Sequence, residues 1–170
     1  MELRVPEKEV EYKASVDENG LVVLKKESKI KLGRKAKAGG AQFELKVRKD
    51  LQRDGWIVDK WSNNVDLENG ALTPAKKSWK FNPFRKAMMP SAQGTGFPDF
   101  IAFQKMNDYY KIIGVEVKMN GTLSKIEKLK CKWMLDNKIF SEILVAKKKK
   151  FGRRILVEYV NFSEILKRMR

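Results

Sequence analysis

The apolar positions of this chain fall into short runs divided by polar breaks. Phe100 to Phe103 is one run and Ile112 to Val117 another, which predicts a hairpin of residues 99–104 with 111–119. Upstream, Ala41, Leu45, Val47 and Leu51, with Phe43 nearby, predict an amphipathic helix from Ala41 to Arg53, although Phe43 and Val47 share one flank and Leu45 lies across from them. Asp54-Gly55 reads as its glycine cap, and Trp56 to Trp61 as the first sheet strand. Ser124 is a good N-cap for a helix to about Asn137 with Ile126, Leu129, Trp133 and Leu135 facing inward. Glu142 to Ala146 and Ile155 to Val160 read as strands joined by a basic turn, and Phe162 to Arg170 as a short helix. Ahead of all this, residues 1–19 are polar and either pair as an edge strand or stay loose. Leu21 to Leu24 is a short strand with Val5 to Tyr12 as its candidate partner, and Lys25 to Gly40 a basic linker. The order helix, strand, hairpin, helix, strand, strand predicts an α/β fold, a sheet flanked by helices.

Composition narrows the partners. The 170 residues carry 37 Lys and Arg against 21 Asp and Glu, a net charge of +16 that suggests a polyanionic partner. Residues 1–19 hold six acids and three bases, −3, which leaves +19 on the rest. DNA, RNA and an anionic membrane all fit that charge. The absence of histidine removes every mechanism that needs an imidazole, and the single Cys131 removes disulfide scaffolds and Cys-rich metal sites. No apolar run approaches the ~18 residues of a membrane span, and the acidic start is unlike a signal peptide. The expected protein is soluble and intracellular, in cytoplasm or nucleoid, with a viral or phage origin compatible.

The chemistry gathers between Gly94 and Asn120. Strand residues two apart share a face, so Glu116 and Lys118 project together while Val115 and Val117 face the other way. Pairing of the two runs brings Asp99 alongside. Two carboxylates and a lysine at one end of a sheet can hold Mg²⁺ and position a water for phosphodiester hydrolysis. Each part has an ordinary reading too: Pro98-Asp99 as a turn, Glu116-Val117-Lys118 as a solvated strand face, Glu44 as a favourable acid in a helix's first turn.

Pro98-Asp99 followed by Glu116-Val117-Lys118 after a short hairpin resembles the signature of the PD-(D/E)XK nuclease superfamily. Gly40-Ala41-Gln42-Phe43-Glu44, the helix ending at Asp54-Gly55, and Asn120 to Ser124 before the next helix are similar to archaeal-type Holliday junction resolvases and the VRR-NUC nucleases. The resemblance covers roughly residues 38–160, with an atypical stretch near 64–93. It implies a restriction-endonuclease-like core, a mixed central sheet flanked by helices, over residues 38–170, with a basic and aromatic insertion at about 63–93 and an acidic extension and linker over 1–37. It implies Asp99, Glu116 and the Val117 carbonyl as ligands for Mg²⁺, for which Mn²⁺ would substitute. Lys118 would orient the attacking water or offset charge on the phosphate, and Glu44 would complete the catalytic set. Glu127 stands where VRR-NUC proteins usually carry glutamine, and the Gln-x-x-x-Tyr box of RecB-like nucleases is absent.

The stretch from Ser62 to Gly96 is long for a loop. Lys76, Lys77, Lys80, Arg85 and Lys86 alternate there with Trp79, Phe81 and Phe84, a mixture in which cations bind phosphates and aromatics stack on bases; a flap packed on the core is the other reading. Lys148, Lys149, Arg153 and Arg154 form a second basic cluster, and Lys35 and Lys37 lie on the linker. With Ser62, which matches a resolvase serine loosely, these are the candidate nucleic-acid contacts. The expected function is a Mg²⁺-dependent DNA endonuclease, a homodimer selective for branched DNA. The alternatives are another repair, replication or restriction-type nuclease of the same fold, or a non-catalytic nucleic-acid-binding module.

Overall fold

The computed structural model of the chain describes residues 11–16, 20–75, 79–82, 87–90 and 96–168. It divides into two compact units, Met1–Gln42 and Phe43–Arg170.

In the first unit β1 (Tyr12–Val16) pairs antiparallel with β2 (Val22–Lys26), Tyr12 opposite Lys26 and Val16 opposite Val22. The described partner of β2 is Tyr12–Val16; of the expected partner Val5 to Tyr12, residues 5–10 lie outside the described residues. A long helix, α1 (Glu27–Arg53), starts directly after β2. The expected linker from Lys25 to Gly40 is thus helical from Glu27 onward. The physical reason lies in its other residues: Lys, Arg, Ala and Leu are strong helix formers, and Gly33, Gly39 and Gly40 each cost only ~1 kcal/mol relative to Ala. Glu27 and Lys31 add an i,i+4 ion pair of 3.3 Å.

In the second unit α1 buries Phe43, Val47 and Leu51, positions i, i+4 and i+8, and leaves Leu45 exposed. The inward stripe is therefore the Phe43–Val47 flank. Gly55 ends the helix at φ +84°, and the Trp56 amide donates to the Leu51 carbonyl at 3.0 Å. The chain then runs through β3 (Ile57–Lys60), β4 (Asn63–Asp66), β5 (Ala71–Pro74), β6 (Trp79–Asn82), β7 (Ala87–Pro90), β8 (Phe100–Met106), β9 (Tyr109–Val117), α2 (Lys125–Asp136), β10 (Glu142–Phe151), β11 (Arg154–Asn161) and α3 (Phe162–Lys167).

Five of these strands form a mixed sheet in the order β3-β8-β9-β10-β11. Only β9 and β10 run parallel, and α2 makes the crossover between them. The α/β class with a mixed central sheet and helices is as expected. Alternation along the strands splits the core in two. Phe43, Val47 and Leu51 pack with Val58, Phe100, Ala102, Ile113, Val115 and Ala146. Cys131 and Met134 of α2 and Phe162 of α3 pack with Ile143, Val145, Phe97, Phe140 and Val65.

Several local expectations change. On α2 the buried residues are Lys130, Cys131 and Met134, while Ile126 and Leu129 are more than half exposed. The helix is rotated relative to its apolar pattern because two polar residues, Glu127 and Lys130, occupy the inner side. Lys147 to Lys150 belong to β10, and the turn is Gly152-Arg153 alone. The stretch from Ser62 to Gly96 holds two antiparallel hairpins, β4–β5 and β6–β7. In the first, Val65 faces Leu72 across the strands, and the Asp66 carboxylate accepts from the Glu68 and Asn69 amides to shape the turn. Among the described residues no helix is long and apolar enough to cross a membrane.

Gly39 and Gly40 sit in α1 with open space where a Cβ would stand. Gly39→Ala with Gly40→Ala is expected to stabilise the helix by ~1 kcal/mol or more in total, read as higher ellipticity at 222 nm. Unchanged or lower helix content would contradict helical structure across these positions.

Candidate active site

The β8–β9 hairpin sets Phe100 opposite Val115, which brings the residue before β8 and the penultimate residue of β9 together. The bonds are reciprocal. The Asp99 amide donates to Glu116 Oε2 at 3.2 Å, and the Val117 amide donates to Asp99 Oδ2 at 2.8 Å. Two glycines permit the fit. A Cβ on Gly114 would stand 2.9 Å from Pro98 Cγ, and one on Gly96 only 1.8 Å from the Trp61 carbonyl oxygen. The Trp61 amide in turn donates to the Asp99 carbonyl at 3.2 Å, and the Phe97 amide to the Asn63 carbonyl at 2.9 Å. The turn carrying Asp99 is thus held from both sides.

Lys118 follows β9, its amide bonded to the Ala146 carbonyl at 2.9 Å. Its Nζ lies 2.9 Å from Glu116 Oε1 and 2.7 Å from Glu127 Oε1. Glu127 is fixed by a capping box: Ser124 Oγ accepts from the Glu127 amide at 3.3 Å, and Glu127 Oε2 accepts from the Ser124 amide at 2.7 Å. One carboxylate therefore caps α2 and grips the lysine. Asp99, Glu116, Val117, Lys118, Glu127, Lys130 and Glu44 all line one cleft of about 300 Å³.

Burial and the charge of Asp99 push Glu116 up to about 8, against the opposing pull of Lys118. Burial also raises Asp99; the Val117 hydrogen bond pulls it down and the charge of Glu44 adds to the rise. For Lys118 burial disfavours the ammonium, yet Glu116 and Glu127 outweigh it and hold the lysine above its usual range. Lys118 is accordingly a fixed cation and a poor base. Burial also works against ionised Glu127, but its bonds to Lys118 and Ser124 prevail and hold it below the usual carboxylate range.

Two carboxylates forced together, both shifted toward the neutral form, fit a hard divalent cation that favours oxygen ligands and retains several waters. Among the described residues no group of three or more carboxylate or thiol side chains converges on one point. Asp99 and Glu116 would thus be the side-chain ligands, with Val117 beside them on the strand and Glu44 at the cleft wall.

Of the expected nucleic-acid contacts described in the second unit, none lines the cleft. Lys35 and Lys37 are exposed on α1 in the first unit. Ser62 is exposed just before β4. Trp79 and Phe81 are exposed on β6, where Lys80 is placed by its backbone. Lys76, Lys77, Phe84, Arg85 and Lys86 lie outside the described residues. Lys148 sits 5.3 Å over the Phe43 ring, Lys149 is 3.6 Å from Glu158, and Arg153 and Arg154 are exposed at the β10–β11 turn. Sequence reasoning missed Lys130 and gave Glu127 no contact with the lysine. The available signal was the spacing on α2, where Glu127 and Lys130 lie one turn from Ser124 and Ile126, all of which line the cleft.

Comparison of the chain with family models, with curated proteins and with solved structures finds no match.

The raised carboxyl of Glu116 fixes a sign for pH dependence. Without metal, the folded protein keeps a proton that the unfolded chain loses above about 4.5. This contribution is present at low pH and lost as pH rises toward about 8. Glu116→Gln should therefore melt higher than wild type at pH 8 in EDTA, by a few degrees (~1–2 kcal/mol), with the difference shrinking toward pH 5. Equal melting temperatures across that range would mean that neither burial nor the Asp99 charge disfavours an ionised Glu116 in the folded protein.

Proposed function

We propose that this chain is a metal-dependent nuclease of the PD-(D/E)XK type, hydrolysing phosphodiester bonds in DNA. The observation that carries the reading is the reciprocal pair of hydrogen bonds between Asp99 and the Glu116-Val117 strand segment, with the Lys118 ammonium against Glu116. A solvated strand face gives no reason to set a buried carboxylate, Glu116, beside a half-buried one, Asp99. The order α1, β3, β8–β9 hairpin, α2 and parallel β10 supports a restriction-endonuclease-like core, and the basic composition supports a polyanionic substrate.

Asp99 and Glu116 would hold Mg²⁺ or Mn²⁺, which when bound supplies Lewis acidity and lowers the pKa of water. The remaining roles belong to the chain. Asp99 is kept in place by the Val117 amide, so its carboxylate is oriented before substrate arrives. Lys118, gripped by Glu116 and Glu127, presents a fixed positive charge where the phosphorane develops negative charge. It orients the attacking water by hydrogen bonding and does not take its proton. Glu44, across the cleft, is placed to accept a hydrogen bond from that water. The selectivity we propose is for branched DNA cut by a homodimer, because symmetric incision of a four-way junction needs two paired sites.

Labelled four-way junction and matched linear duplex, each with Mg²⁺, test this directly. Wild type is expected to make paired cuts in the junction, and Asp99→Ala to lose at least ~10³-fold in rate; Lys118→Met should lose ~10²–10³-fold. Equal cutting of both substrates would remove the branch selectivity and leave a nuclease of broader class. Absence of metal-dependent cutting by wild type would overturn the proposal in favour of a binding module.

A further inference from the structure

The cleft is unbalanced in charge. Four carboxylates, those of Glu44, Asp99, Glu116 and Glu127, line it beside two ammonium groups, Lys118 and Lys130. Lys118 is already neutralised by two of those carboxylates. Lys130 is placed differently. It is 6% exposed, and among the described residues its hydrogen-bond acceptor is the neutral Asn64 Oδ1 at 2.7 Å. The Phe97 ring lies beneath its Nζ, 5.7 Å to the centroid. No carboxylate lies within ion-pair distance of it among the described residues; the charges of Glu127 and Glu116 act on it from farther off and only partly offset its burial.

An ammonium carries three donors, and one amide oxygen satisfies one of them. Taking a lysine out of water costs several kcal/mol unless a counter-charge compensates, and an amide dipole with a ring face compensates only in part. A methionine would fill the same space on α2 at no such cost. With Glu127 and Glu116 acting only from beyond ion-pair distance, an anion entering the cleft that Lys130 lines would complete its partners. We propose that Lys130 is a phosphate-binding cation of this cleft, contacting a non-bridging oxygen of the DNA backbone beside the Asp99–Glu116–Lys118 cluster. This rests on the nuclease reading above. Asn64 is then a positioning residue: through it the β4–β5 hairpin, an insertion by sequence, holds a substrate-contacting side chain. Phe97, one residue from Pro98, shares the task from the turn that carries Asp99.

The test uses the full chain, with labelled four-way junction as probe. Lys130→Gln deletes the charge while its amide can still donate to Asn64, and Lys130→Met deletes both. Binding is measured by fluorescence anisotropy in an Asp99→Asn background with Mg²⁺, across salt concentrations, so that it does not depend on turnover. Loss of one phosphate contact lowers the slope of log affinity against log salt by about one. Both variants are expected to show that drop, about ten-fold weaker binding, and melting temperatures at or above that of the Asp99→Asn parent. In the otherwise wild-type chain, each should slow junction cleavage by about 10²-fold.

If Lys130→Gln keeps the parent's slope and affinity while Lys130→Met loses them, Lys130 is a structural tether and the proposal is overturned. If Lys130→Met fails to fold, Lys130→Gln alone decides on the same readout. Wild-type chain that cuts normally beside Lys130 variants that also cut normally removes only the Lys130 assignment. Wild-type chain that cuts nothing removes the nuclease reading itself.

Discussion

The acidic cluster of the second unit depends on one unfavourable contact, the approach of the Asp99 and Glu116 carboxyl groups at the end of the β8–β9 hairpin. Left alone, a buried and a half-buried carboxylate side by side repel and lose hydration. The chain offsets this locally. Each strand lends an amide to the other strand's carboxylate, and Lys118 sets its ammonium against Glu116. The offset is incomplete, since Glu116 is still pushed up to about 8. A cation bound there, as proposed, would relieve that residual cost.

The contacts around this cluster come from elements that look unrelated in the sequence. The Glu127 capping box couples the start of α2 to Lys118. The β4 strand reaches α2 through Asn64 and Lys130, and reaches the Asp99 turn through Asn63 and Phe97. Gly96 and Gly114 let backbone and Pro98 approach where a side chain would collide. Polar groups on the covered side of α2 reduce what that helix gains from burial, and Met134 and Cys131 supply the apolar anchoring that remains. Local rules are broken here, as is usual where binding or chemistry takes precedence over stability.

The parts of the fold legible in the sequence were those governed by short-range rules. The paired apolar runs around residues 100–117, the Ser124 cap and the Asp54-Gly55 helix end each carry their own stereochemistry. The start of α1 was hidden because three glycines suggested a break where lysine, arginine and alanine sustain a helix. The inner side of α2 was hidden because its polar residues face the cleft, so the apolar pattern pointed to Ile126 and Leu129, which are exposed. The β10 lysines resembled a turn because charge was taken for exposure, whereas Lys147 and Lys149 pair with Glu158 on the neighbouring strand. The approach of Asp99 to Glu116 was readable from strand register. The contact of Lys130 with Asn64 spans 66 positions, and only the folded chain brings the two together.

Asp99 and Glu116 are proposed to share a cation. Crystals of the protein grown with Mn²⁺ and measured at its absorption edge address this without relying on turnover. If the two residues do share one, an anomalous peak is expected within about 2.0–2.3 Å of carboxylate oxygens from both Asp99 and Glu116, absent in Glu116→Gln. A peak elsewhere, or none at the acidic pair in a crystal that contains the ion, would contradict it.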